Sequence, residues 1–256
     1  MSTDTKTERG GSSQGADLRT LAVLWAVFTV LGVVFALIVP RHLMGPSASN
    51  TMTEVERTFT AFSVASAPVA AVVWALALFS ILRWRRRGDW KEGDPDGPAL
   101  RGHGLTSGVW MFVSSALCLF LLIWGLAALS SVDSAAASSA SPLEIDVTGQ
   151  QWVWTFTYPA QGVESDQLVL PLDRPVVFKV TSDDVIHSFW VPEMGIKVDA
   201  NPGVTTSTST VPDRLGTYHV RCAELCGLLH ADMETNVQVV SNDGFDTWVA
   251  GQGGHA

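Results

Sequence analysis

Gly149-Gln-Gln-Trp152-Val-Trp154-Thr-Phe156-Thr-Tyr158 is the run that decides the class of the C-terminal half. Trp152, Trp154, Phe156 and Tyr158 alternate with Gln151, Val153, Thr155 and Thr157. Successive side chains of a strand point to opposite faces, so the run predicts a strand with one aromatic face. Around it, from Leu143 onward, lie further short runs of β-branched and aromatic residues: Glu144–Tyr158 itself, Gln167–Leu170, Val176–Thr181, Thr205–Val211, Tyr218–Arg221 and Asn236–Val240. Pro and Gly break them apart, which predicts an all-β domain of sandwich or barrel type.

Toward the N-terminus the pattern changes. Leu21–Val39, Phe62–Leu82 and Val109–Leu129 each approach the roughly 20 apolar residues that cross a hydrocarbon core as helix, and none contains Asp, Glu, Lys, Arg or His. Three transmembrane α-helices are expected. Pro68 is expected near the start of the second, where the first turn has no intrahelical donor to lose. Arg83, Arg85, Arg86, Arg87, Lys91 and Arg101 lie between the second and third spans, and Lys6, Arg9 and Arg19 precede the first. Cations mark the cytoplasmic side, so everything after Leu129 is expected on the outer face of a plasma membrane. The first span also fits the apolar core of a cleaved signal, with small residues at Ser47-Ala48-Ser49, although its length favours retention.

The expected organisation is a membrane region over 1–129, a Ser/Ala-rich flexible tether over 130–141, the β domain over 142–243 and a tail over 244–256. Residues 1–129 carry 11 Lys/Arg against 9 Asp/Glu, and residues 130–256 carry 5 against 16, giving nets of +2 and −11. The acidic half attracts basic partners and repels nucleic acid.

Near the C-terminus stands Cys222-Ala-Glu-Leu-Cys226-Gly-Leu-Leu-His230-Ala-Asp-Met233. Two thiolates, an imidazole and a thioether are soft donors suited to copper, whereas structural zinc favours Cys-x2-Cys without a thioether and hard ions need several oxygens. A single-copper electron-transfer site needs one Cys, so the second thiolate points to a second metal bridged by both sulfurs. Spreading one electron over two coppers lowers the structural change per transfer. A short disulfide is the alternative use of Cys222 and Cys226, but it leaves His230 and Met233 unexplained. The other cysteine, Cys118, sits in the third span as an apolar residue. A second histidine should come from another loop: His187, after Val176–Thr181, is favoured over His219, which faces away from Cys222 if Tyr218–Cys222 is extended.

Gly149-Gln-Gln-Trp152-Val-Trp154, Asp184-Val-Ile-His187-Ser and Cys222-x-Glu-x-Cys226-Gly-x-x-His230-x-x-Met233 together resemble cytochrome c oxidase subunit II over roughly 110–240. That resemblance implies a cupredoxin-like β-sandwich after the transmembrane helices, holding the two-copper centre called CuA. By resemblance, Cys222 and Cys226 bridge the coppers, His187 and His230 are terminal ligands, and Met233 and the Glu224 carbonyl are weak ligands. The Glu224 carboxylate is implied in a magnesium or manganese site shared with the haem-bearing subunit I, and Trp152 in receiving the electron from cytochrome c. Asp184, Asp199 and Asp232 are candidates for docking that basic partner. The implied activity is oxygen reduction by the complex coupled to proton translocation, with this chain as the electron-accepting subunit.

Three departures stand out. The usual Gly-His-Gln-Trp-Tyr-Trp lacks its His and Tyr here; Ser107 replaces the Glu that precedes Trp110 by three residues in many relatives; and a first span is added. Competing readings are a quinol oxidase subunit, which characteristically lacks the copper ligands; a nitrous oxide reductase domain, for whose propeller 256 residues leave no room; and a copper-delivery protein, which needs an exposed, exchangeable site.

Overall fold

A computed structural model describes residues 8–83, 102–137 and 141–255. Lys6 and the basic residues Arg85, Arg86, Arg87, Lys91 and Arg101 lie outside the described residues, as do 138–140 of the expected tether. Three helices come first: α1 (Glu8–Leu43), α2 (Asn50–Arg83) and α3 (Gly104–Ala137). Each contains a stretch long and apolar enough to cross a membrane.

These helices are longer than the expected spans. No Gly or Pro interrupts α2 before Pro68, so the helix begins at Asn50 and Pro68 lies in its interior, not its first turn. At Pro68 the i−4 hydrogen bond is missing. The α3 helix continues through Ser130–Ala137, where a flexible tether was expected, because that stretch is Ala-rich and has no helix breaker.

By contact the chain divides into two compact units. The first holds α1 to Pro40, α2 from Phe59 and α3 to Ile123. Within it Trp25 Nε1 donates to the Pro68 carbonyl at 2.9 Å, and Arg83 pairs with Asp17 at 2.8 Å. A methyl group on Gly32 would lie 3.2 Å from Ala67 Cβ, so the missing side chain lets α1 approach α2 closely. Cys118 is exposed on α3.

The second unit, residues 41–58 and 124–256, contains a β-sandwich. Its strands are β1 (Leu143–Gln150), β2 (Val153–Tyr158), β3 (Val163–Ser165), β4 (Leu168–Pro171), β5 (Val176–Ser182), β6 (His187–Val191), β7 (Ile196–Ala200), β8 (Thr206–Thr210), β9 (Gly216–Cys222) and β10 (Glu234–Val240). One sheet runs β3-β2-β1-β5-β8 and the other β4-β10-β9-β6-β7. Alternation drives the packing: Leu143, Ile145 and Val147 of β1, Val176, Phe178 and Val180 of β5, and Tyr218, Val220 and Cys222 of β9 all turn inward. Phe189 sits among Trp154, Phe156 and Phe178, with ring centroids 5.4 to 6.3 Å away.

The Glu144–Tyr158 run is two antiparallel strands joined at Gln151-Trp152, so Trp152 belongs to a turn and only Trp154, Phe156 and Tyr158 form the buried aromatic row. The residues after Val240 are not a loose tail. Ser241 caps α4 (Asn242–Gly251) by accepting from Gly244 N, and α4 buries Phe245 and Val249 beside Tyr158.

Residues 48–52 are a distant part of the same unit. Ala48 and Ser49 are fully buried, Ser49 Oγ donates to the Met194 carbonyl at 2.8 Å, and Asn50 Oδ1 accepts from Val211 N at 2.9 Å. Gly195, at φ +64°, accommodates this segment: a methyl there would meet Met52 Cα at 3.0 Å.

Candidate metal centre

Two strand ends and one loop supply the donors. Cys222 ends β9 on its inward face, and the chain then folds back so that Cys222 N donates to the Met233 carbonyl at 3.1 Å, closing the Cys222–Met233 loop. His187 opens β6, next to β9, where Phe189 pairs with Cys222. It lies at the start of a strand, not on a loop as expected, because Phe189 and Val191 take this segment into the core.

The side chains converge. Cys222 Sγ lies 3.7 Å from Cys226 Sγ and 3.9 Å from His187 Nδ1; Cys226 Sγ lies 3.6 Å from His230 Nδ1 and 3.8 Å from Met233 Sδ. The Glu224 carbonyl oxygen is 3.2 Å from Cys222 Sγ while its side chain is exposed. A disulfide needs sulfurs about 2.05 Å apart, and both cysteines are free. The donor atoms of His187, Cys222 and Cys226 all lie within 4.8 Å of one another, so this cluster could hold a metal ion.

The chemistry of the set fits copper. Its donors are sulfur and imidazole nitrogen with one carbonyl, the combination that soft metals select. Burial, then the neighbouring Cys222, pushes the Cys226 thiol up to about 11. Two adjacent thiolates are thus costly alone, and a bound cation offsets that cost.

Surrounding groups fix the donors. His187 Nε2 lies 2.9 Å from Asp184 Oδ1, which leaves Nδ1 to face the sulfurs. Burial opposes ionisation of Asp184, but hydrogen bonds from Gln151 N, His187 and Val185 N outweigh it and hold the carboxyl at about 2. Asp184 was expected as a docking acid; both its oxygens face the protein's own donors. Asp199 and Asp232 are exposed. His219 points away from the cluster and pairs with Glu193 at 2.8 Å. Gly149 leaves room for His187 and Trp154, since a methyl would lie 3.1 Å from each. Trp152 is half-buried, and a methyl on Gly227 would sit 3.4 Å from its Cζ2.

Sequence reasoning missed the parts played by Gln151, Gly149 and Gly227. Gln151 Nε2 donates to the Cys226 carbonyl at 2.7 Å, a contact with no signal in residue spacing.

The fold and cluster define a class: a β-sandwich carrying a cluster of soft donors that could hold a metal, in a chain with membrane-length helices. A family model described as the periplasmic domain of cytochrome c oxidase subunit II matches residues 161–240. Cytochrome c oxidase subunit 2 of Thermostichus vulcanus is 47% identical over 109 residues, covering 43% of this chain and 33% of the relative. Quinol oxidase subunit 2 of Bacillus subtilis is 29% identical over 184 residues, covering 71% of this chain and 57% of the relative. The crystal structure of the periplasmic domain of cytochrome oxidase subunit II from Bradyrhizobium japonicum is 31% identical, with a TM-score of 0.43, covering 45% of this chain and 96% of that one. Residues 161–240 thus match the family that the three motifs resemble, in a domain built as a two-sheet β-sandwich. The chain spans about a third of the length of the Thermostichus relative and little over half of the Bacillus one.

Proposed function

We propose that this chain is the electron-accepting subunit of a membrane cytochrome c oxidase, taking electrons from cytochrome c at a dinuclear copper centre and passing them to haem in subunit I. There oxygen is reduced to water with proton translocation. The observation that carries this reading is the pair of free, buried sulfurs 3.7 Å apart, flanked by two imidazole nitrogens and a thioether.

Cys222, Cys226, His187 and His230 would hold the metals, the imidazoles through the Nδ1 atoms that face the sulfurs, with Met233 and the Glu224 carbonyl as weaker ligands. When bound, the copper pair supplies a one-electron carrier whose charge is shared between two metals. The protein's part is to hold its donors fixed, so that little rearranges when the charge changes. His187 is oriented by Asp184, Met233 is packed in the core, and the loop is closed by the Cys222–Met233 backbone bond. Trp152 lies against the loop beside Gly227, which supports its role in receiving the electron. The exposed Glu224 carboxylate is available to a magnesium or manganese ion shared with subunit I, and Asp199 and Asp232 to the basic surface of cytochrome c. The copper domain faces the outer side of a bacterial plasma membrane, with α1–α3 as its spans.

A quinol oxidase role is disfavoured because every copper-ligand position is filled. Electron paramagnetic resonance of the copper-loaded full chain tests the proposal. One electron shared by two coppers gives a seven-line hyperfine pattern; a four-line pattern or no bound copper would refute it.

A further inference from the structure

Gln151 touches both halves of the candidate metal centre from outside it. Its side-chain Nε2 donates to the Cys226 carbonyl at 2.7 Å, and its backbone N–H donates to Asp184 Oδ2 at 2.8 Å. The other oxygen of Asp184 holds His187 Nε2 at 2.9 Å. A continuous chain of hydrogen bonds therefore runs from His187, at the start of β6, through Asp184 and Gln151 to the peptide of Cys226, in the loop after β9.

The loop is shaped to receive this contact. Gly227, with φ +120°, follows Cys226, and a methyl group there would lie 2.9 Å from Gln151 Nε2 and 3.4 Å from Trp152 Cζ2. Only a residue without Cβ leaves both the amide and the indole room to lie on this peptide. Cys226 is in turn the sulfur nearest to both His230 and Met233, so what holds its backbone holds the larger part of the donor set.

We propose that Gln151 is a positioning residue for the metal centre: it sets the separation between the His187 segment and the Cys222–Met233 loop, so that the two thiols and two imidazoles meet at fixed distances. This rests on the copper-site reading above. Withdrawing a donor from the Cys226 carbonyl changes the polarisation of a peptide adjoining a proposed ligand sulfur, and it frees the loop to move. Residues that orient metal ligands typically change metal affinity by 10–100-fold when lost.

The test uses the full chain with two variants, Gln151→Met, which keeps length without the amide, and Gly227→Ala, which forces the amide away from the other side. Copper hyperfine splitting, reduction potential and the rate of copper release to a chelator are measured on loaded protein, and amide hydrogen exchange on copper-free protein. Both variants are expected to keep copper but shift splitting and potential, to release metal on the order of 10-fold faster, and to speed exchange across 222–233. A role confined to folding would lower the melting temperature and leave potential and splitting unchanged, which overturns the proposal. If the wild-type chain binds no copper, the copper-site reading falls, and exchange decides the bracket by itself: unchanged rates across 222–233 in both variants overturn it.

Discussion

His187 uses its two ring nitrogens for different partners: Nε2 lies 2.9 Å from Asp184 Oδ1, and Nδ1 lies 3.9 Å from Cys222 Sγ. A carboxylate on Nε2 fixes the proton there and leaves the Nδ1 lone pair free for a metal. Asp184→Ala removes this control. Copper affinity, followed by chelator competition, is expected to fall by about 10–100-fold; equal affinity in the variant would remove Asp184 from the site.

Met233 is buried and places Sδ 3.8 Å from Cys226 Sγ. Met233→Leu conserves volume and deletes the sulfur, so the copper-free domain should lose less than about 1.5 kcal/mol. The loaded variant should keep two coppers and shift its reduction potential, as removal of a weak donor does. Voltammetry with thermal melts separates the two effects.

Gly149 faces His187 Cδ2 and Trp154 Cζ3, each 3.1 Å from where a methyl would stand. Gly149→Ala is expected to cost about 1–3 kcal/mol by overpacking. Because the displaced side chain is a proposed ligand, copper binding should weaken in the same variant. Denaturant unfolding and copper titration check both.

Tyr158 is buried, its hydroxyl donating to the Val169 carbonyl at 3.0 Å and accepting from Val169 N at 2.8 Å. Burial pushes its pKa well above the ordinary value near 10. The native state therefore holds the phenolic proton more tightly than the unfolded chain. The stabilising contribution is complete below about pH 10 and declines as pH rises above it. Tyr158→Phe should flatten the alkaline limb of the stability curve, leaving the smaller contribution of Tyr218, whose pKa burial also raises. Identical limbs in variant and wild type would contradict this.

Phe245 of α4 is buried against Tyr158 and Trp248. Phe245→Ala should destabilise the sandwich by about 3–5 kcal/mol, measured by denaturant midpoint. A surface tail would show almost no change.

Cys222, Cys226, His230 and Met233 were readable in the sequence because all four sit within one short loop, where spacing reports proximity. His187 was favoured over His219 by its place after Val176–Thr181 and by strand facing, and the family resemblance strengthened that choice, since β6 and β9 are brought together by the sheet and not by the chain. Gln151 lies 75 residues from the carbonyl it holds, and no local pattern records that contact. The aromatic alternation found the buried row Trp154, Phe156 and Tyr158 but ran through the turn at Trp152, because period-2 patterning does not register a reversal of direction. The β3 and β7 strands went unnoticed: Val163–Ser165 is too short to show a period, and Ile196–Ala200 carries Lys197 and Asp199 on its exposed face.

The burial of Ala48 and Ser49 beneath Met194 and Val211 has a consequence for assembly. The hydrogen bonds that seat this segment span 145 and 161 residues, so the sandwich closes on a piece of chain synthesised long before it. Such distant closure is late and slow in folding. On the proposed topology, that early piece waits outside the membrane while two further spans are threaded, and the finished domain then registers that the segment after α1 and the chain after α3 have arrived on the same side.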